Sequence, residues 1–288
     1  MPPAPFTVTI SKMFLLRFWG VRGSIPTPGP GTVKTGGNTS CVEVRCGDKL
    51  IIFDGGTGLR VLGESLIKEM PLSAAMFFSH VHWDHIQGFP FFVPALAPGN
   101  HFDLYGGRNV TATLAETLSG QMNFPNFPLT LEQMAADMAF HQFDDGQPVE
   151  LGDGVTVQAL PLNHPNGCYG YRVSYKNKVI TYCTDTEHRE TPDANVLSLA
   201  DNADIFIYDC QYTPEEYTGE KGGLPRIGWG HSTFVEGAAL AKAAGAKRLV
   251  LFHHDPGHDD EAVASIESRC RELFPEADAA REGLVYEI

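Results

Sequence analysis

Positive charge is scarce in this chain. Lys and Arg total 21 against 35 Asp and Glu in 288 residues, a formal charge of -14. A field of that sign repels nucleic-acid phosphates at long range, so long RNA or DNA is a poor partner unless a local basic patch overrides the average. Paired cysteines of the C-x-x-C type are missing as well. The six cysteines, Cys41, Cys46, Cys168, Cys183, Cys210 and Cys270, are scattered through apolar runs. That scatter argues against a cysteine-type structural zinc site and reads as buried free thiols of a reducing compartment. No apolar stretch reaches membrane-spanning length, and the first residues lack a basic region followed by an apolar stretch and a small-residue cleavage site. The expectation is a cytoplasmic protein with no membrane partner.

What the chain has is 43% hydrophobic residues, enough to bury a sizeable core. Alternating patterns and short apolar runs predict strands over residues 40–46, 49–53, 74–78, 155–160, 169–175, 178–183, 205–208 and 247–252. Gly47-Asp48 and Lys176-Asn177 sit at hairpin tips. Helical patterns cover 59–69, 233–244 (ended by Gly245) and 261–273, with another near 110–118. Residues 89–152 read as less regular. Residues 1–12 read as an irregular extension, and residues 13–288 as a single domain. Two strand-rich halves with helices at their outer edges predict an α/β/β/α sandwich.

The densest chemical signal is Ser79-His80-Val81-His82-Trp83-Asp84-His85. Three imidazoles and a carboxylate fall within six residues, directly after a buried strand, where α/β folds place active sites. In an extended or looped backbone His80 and His82 can grip one ion, while Asp84 and His85 open a helix and can face a second. Imidazole nitrogen with some carboxylate oxygen suits a first-row divalent metal.

This H-x-H-x-D-H run resembles the signature of the metallo-β-lactamase superfamily, and the resemblance extends over nearly the whole chain from Met13. Gly20-Val21-Arg22-Gly23-Ser24-Ile25-Pro26, Asn38-Thr39-Ser40 and Phe53-Asp54-Gly55-Gly56 make it similar to the branch holding tRNase Z and the small cyclic-phosphate diesterases. The resemblance implies a four-layer α/β/β/α metallo-β-lactamase sandwich with two divalent ions, zinc first, although the same ligands accept manganese or iron. It implies His80, His82 and His164 on one ion and Asp84, His85 and His253 on the other, with Asp185 between them. Taken alone, His164 is an ordinary loop histidine and Asp185 a turn residue. Either His253 or His254 could be the last ligand, and the apolar run Leu249-Val250-Leu251-Phe252 places His253 where the family's histidine falls.

A second block, Gly230-His231-Ser232-Thr233 before a helix, resembles the diesterase branch, in which the histidine contacts the scissile phosphate. Its bland reading is a helix cap. Asp209 occupies the place of an acid that holds that histidine, or it is a solvated acid at a strand end. The implied chemistry is phosphodiester hydrolysis. A hydroxide shared by the two ions attacks, Asp84 orients it, and His231 as imidazolium stabilises charge or protonates the leaving oxygen.

The RNA-processing members of the branch carry a basic, glycine-rich arm. Here residues 89–152 hold Arg108 as their sole Lys or Arg, and residues 213–229 set Lys221 and Arg226 against Glu215, Glu216 and Glu220. A small phosphodiester such as a cyclic nucleotide is therefore the expected substrate. A tRNase Z-like endonuclease is the alternative, and a lactone, ester or thioester hydrolase a more distant one. The aromatic and Met-rich residues 122–138 suit either a lid over a flat group or packing against a helix or in a homodimer interface.

Overall fold

The computed structural model describes residues 14–107, 112–220 and 223–288. The extension at residues 1–12, the predicted start at Met13, and Arg108 and Lys221 lie outside the described residues. Among those described, fourteen strands form two seven-stranded sheets. The first holds β1 (Phe14–Gly20), β2 (Cys41–Cys46), β3 (Lys49–Phe53), β4 (Ser73–Phe78), β5 (His101–Gly106), β6 (Asp137–Gln142) and the C-terminal β14 (Val285–Glu287), in the order β14-β1-β2-β3-β4-β5-β6. The second holds β7 (Val149–Gly152), β8 (Val155–Leu162), β9 (Cys168–Tyr175), β10 (Lys178–Cys183), β11 (Ile205–Asp209), β12 (Leu249–Phe252) and β13 (Ala277–Ala279), in the order β13-β12-β11-β10-β9-β8-β7.

Each sheet is mixed, and the reason is local. Gly47 at φ 61° closes the tight β2–β3 hairpin, and Lys176 and Asn177, both left-handed, close β9–β10. The parallel pairs β3–β4, β10–β11 and β11–β12 instead need crossovers. These crossovers carry α1 (Gly58–Leu66), α4 (Ala194–Ala200) and α6 (Phe234–Ala243) on the outer faces. Other helices are α2 (Trp83–Ile86), α3 (Leu114–Gln121), α5 (Pro214–Thr218) and α7 (Asp260–Leu273).

The central core lies between the sheets. Phe53 of β3 packs on Phe77, Tyr171 and Tyr182, with ring centroids 5.8, 5.3 and 5.3 Å away. Full burial of each such side chain stabilises by about 1.5–3 kcal/mol. Two further apolar layers separate each sheet from its helices, one around Leu59, Leu62 and Phe92, the other around Leu199, Phe206 and Leu240. The molecule is thus the four-layer α/β/β/α sandwich expected.

Residues 89–152 are more regular than their sequence suggests: β5, β6 and β7 fall there, beside α3, the helix expected near 110–118. His101, Asp103, His141 and Asp137 alternate along β5 and β6 and pair with one another on the sheet surface. The lid reading of residues 122–138 also needs correction. Met122, Leu131 and Met134 are buried in the outer core, while Phe124 stays exposed. All six cysteines are buried and unpaired. Among the described residues no helix is long and apolar enough to cross a membrane.

Candidate metal centre

The site forms where strand ends of both sheets meet. After β4 the chain turns through His80 and His82 into the short helix α2, which carries Asp84 and His85. His164 follows β8, Asp185 follows β10 and His253 follows β12. Asp185 and His253 hold left-handed backbones at φ 51° and 62°, a strained geometry for residues other than glycine that clusters at functional sites. Its effect is to turn both side chains into the space between the sheets.

The expected ligands fall in two donor groups, His80, His82 and His164, and Asp84, His85, Asp185 and His253, and a third grouping sets Asp209 and His231 with Asp185 and His253, the ligand atoms within each lying inside 4.8 Å of one another. Asp185 faces both. One of its oxygens lies 3.2 Å from His85 Nε2 and 3.2 Å from His253 Nε2, the other 3.5 Å from His80 Nε2 and 3.8 Å from His164 Nε2. The structure therefore brings together all seven residues expected as ligands. His254 points elsewhere: its Nε2 donates to the Ala280 carbonyl at 2.9 Å, and burial pulls its pKa down to about 3.

Partners behind the donors fix which nitrogen carries the proton. His85 Nδ1 donates to Asp54 Oδ2 at 2.8 Å, His253 Nδ1 to Gln211 Oε1 at 2.8 Å, and His164 Nδ1 to the Gly230 carbonyl at 2.8 Å. In His253 and His164 this leaves Nε2 as a bare lone pair aimed inward. His85 Nε2 and His253 Nε2 then face each other at 3.2 Å, and His164 Nε2 faces His82 Nδ1 at 3.1 Å. Burial lowers the pKa values of His80, His82 and His164, which keeps them neutral, and His80 Nε2 is buried with no hydrogen-bond partner. At His85 burial also pulls the pKa down, but Asp185, Asp84 and Asp54 outweigh it and raise the pKa well above the ordinary value. The carboxylates thus call for positive charge at this point. Neutral imidazoles, carboxylates and an orphaned buried nitrogen together fit divalent metal ions.

Sequence reasoning missed several of these supports. Asp54 was visible only as part of a turn. In the fold it is fully buried and accepts from Ser79 N, Ser79 Oγ, Tyr182 Oη and His85. Gln211, two residues beyond Asp209, had no motif to mark it. Ser24, left-handed at φ 65°, donates its backbone N–H to Asp84 Oδ2 at 2.7 Å.

His231 lies beside the cluster, its ring centroid 5.0 Å from that of His253. Its Nδ1 donates to Asp209 Oδ2 at 2.8 Å. Asp209 is not a solvated acid: it is fully buried and also accepts from the backbone of Thr186 and Gln211. Burial pulls the His231 pKa down, yet Asp209, with Asp185 and Asp84 behind it, raises it to about 9. Ser232 does not cap α6; Thr233 does, through the Glu236 N–H. Ser24, Val81, His82, Trp83, Asp84, Asp185 and His231 line an open cavity of about 440 Å³.

Fold and donor cluster together define a hydrolase of the metallo-β-lactamase fold whose gathered side chains could hold divalent metal. The profile of the β-lactamase superfamily domain matches residues 50–254, and the chain belongs to that family. It is 24% identical over 256 residues to Ribonuclease BN of Cronobacter sakazakii, an alignment covering 74% of this chain and 81% of that protein. Among solved structures, the metallo-β-lactamase fold protein YhfI of Bacillus subtilis aligns with a TM-score of 0.71 at 19% identity, covering 96% of this chain and 100% of that one. A diphosphatase from the PhnP family aligns at 0.67 and 20% identity, covering 96% and 98%.

Proposed function

We propose that the protein hydrolyses phosphodiester bonds of small molecules, cyclic nucleotides first among them, with two divalent ions, zinc by preference. The observation that carries this reading is His231, held by the buried Asp209, lining the same cavity as His82, Asp84 and Asp185. When bound, the ions supply Lewis acidity and an activated water. His80, His82 and His164 would hold one, Asp84, His85 and His253 the other, with Asp185 reaching both. Asp84, pinned by the Ser24 N–H, also faces the cavity and orients the attacking group. Asp209 fixes the Nδ1 proton of His231, so only Nε2 is free to face substrate. As imidazolium it offsets charge on the leaving oxygen and can give that oxygen a proton.

A small substrate is supported by the net charge of -14 and by the cavity's make-up. Its only large exposed apolar wall is the Trp83 indole, 79% exposed, which suits a flat group such as a nucleobase. The second reading, an RNA-processing endonuclease, draws on the likeness to Ribonuclease BN. The test is one panel with metal content measured on the same sample: cyclic nucleotides, bis-p-nitrophenyl phosphate, a precursor tRNA and an acyl-homoserine lactone. Turnover of the first two supports the proposal. Cleavage of the tRNA at one defined site promotes the second reading, and turnover confined to the lactone rejects both.

A further inference from the structure

Two residues beyond Asp185, Glu187 holds a position that the chemistry above leaves unexplained. It is half-buried, and its carboxylate accepts three hydrogen bonds from one stretch of chain. Oε1 takes Tyr217 Oη at 2.7 Å and the Gly228 N–H at 2.7 Å, and Oε2 takes the Gly230 N–H at 2.9 Å. Its backbone is tied the other way: Glu187 N donates to the Asn163 carbonyl at 2.8 Å, and Asn163 Nδ2 donates to the Glu187 carbonyl at 2.8 Å. One residue therefore joins the β8–β9 connection, the β10–α4 loop and the approach to α6.

Gly230 is the pivot. Its amide is held by Glu187 while its carbonyl accepts from His164 Nδ1. It sits at φ 88°, and a Cβ there would lie 2.3 Å from Pro165 Cδ and 2.4 Å from His164 Nδ1. The glycine packs flat on the histidine, so moving Gly230 moves the acceptor that decides which nitrogen of His164 is bare. The next residue is His231.

We infer that Glu187 is a positioning residue: by gripping the Gly228 and Gly230 amides it keeps the Gly230 carbonyl on His164 and presents His164 Nε2 to the metal. This rests on the reading of His164 as a ligand. It does not require the phosphodiesterase assignment. A carboxylate is the right group, because three donors converge on it and a carboxylate has lone pairs enough to accept them all. An amide in its place offers one accepting oxygen and sets an NH2 against an N–H.

The test uses the zinc-loaded protein and three variants: Glu187→Ala, Glu187→Gln and Tyr217→Phe. Zinc affinity is read by competition with a chromophoric chelator, backbone exchange at residues 228–231 by mass spectrometry, and folding by circular dichroism. Loss of a group that orients a ligand typically lowers metal affinity about 10- to 100-fold. Glu187→Ala is expected to weaken the weaker-held zinc by that factor and to speed exchange at Gly228 and Gly230, with Glu187→Gln intermediate. Tyr217→Phe, which keeps both glycine amides on the carboxylate, is expected to stay within about threefold of the parent. Should Glu187→Ala fail to fold, Glu187→Gln carries the comparison alone. Unchanged zinc affinity and exchange in a folded Glu187 variant would overturn the inference. So would a Tyr217→Phe loss as large as that of Glu187→Ala, which would mark general packing. A parent protein that binds zinc but cleaves no phosphodiester would reject the proposed function and leave this result standing.

Discussion

Replacing His231 by Ala separates catalysis from metal binding. The imidazole is nearly buried, and its one structural bond is Nδ1 to Asp209. Removing it does not strand Asp209, which keeps the Thr186 N–H at 3.1 Å and the Gln211 N–H at 3.0 Å, with the Ser232 N–H at 3.5 Å. The variant is therefore expected to fold and to hold its metal. On the proposed function, what disappears is the cation beside the leaving oxygen. Loss of such a group typically costs about a hundredfold in kcat, or about 2.7 kcal/mol of transition-state stabilisation. The effect depends on the leaving group: large for a ribose alkoxide, which needs a proton, and smaller for p-nitrophenolate, which does not. Steady-state kinetics on a cyclic nucleotide and on bis-p-nitrophenyl phosphate, with metal analysis of each sample, measures both. Equal losses on the two substrates refute the proton-donor role, and no loss on either leaves Gly230-His231-Ser232-Thr233 as a helix entry alone. Asp209→Ala is the poorer probe, because it also strips an acceptor from three buried backbone amides and is expected to destabilise the fold.

Other expectations follow from the same geometry. His82→Ala or Asp185→Ala should lower metal content and abolish turnover, and a metal-free sample that stays fully active after exhaustive chelation would contradict the site. His253→Ala should lose metal while His254→Ala should keep it, since His254 bonds the Ala280 carbonyl; elemental analysis of the two decides. Phe53→Ala, deep between the sheets, should cost about 3–5 kcal/mol in urea unfolding. Glu216 is shifted upward by burial, but bonds from His258 and Thr213 outweigh this and bring its pKa from 4.5 down to about 2. A depressed carboxylate pKa stabilises the fold above its unfolded value, so this contribution should be lost as pH falls from 4.5 toward 2, and Glu216→Gln should flatten that part of the unfolding curve.

The sandwich was legible because its central strands are short apolar runs and its hairpin tips carry Gly47-Asp48 and Lys176-Asn177. The donors were legible because four of them crowd into residues 80–85 and the rest end apolar runs. Strand β5 went unread although His101 and Asp103 alternate with the buried Phe102 and Leu104, the ordinary pattern of a half-buried strand. The outer-core burial of Met122 and Met134 depends on α1 and its neighbours, far away in sequence. The groups that choose each tautomer were not legible at all. Asp54, Gln211, Glu187 and the Gly230 carbonyl act through spatial approach, and a carbonyl has no sequence signature. His253 over His254 came down to one residue of register, which the left-handed turn at His253 decides.

The seven donors are drawn from residues 80 to 253 and from strand ends in both sheets. No shorter stretch of the chain reproduces both groups, so an unfolded chain presents far weaker sites, and metal binds the native state preferentially. Folding and metal occupancy are then thermodynamically linked. Free metal at a hundred times its dissociation constant adds about 2.7 kcal/mol to stability per site. The melting temperature becomes a readout of metal supply, and chelation should lower it even in a variant with no catalytic activity.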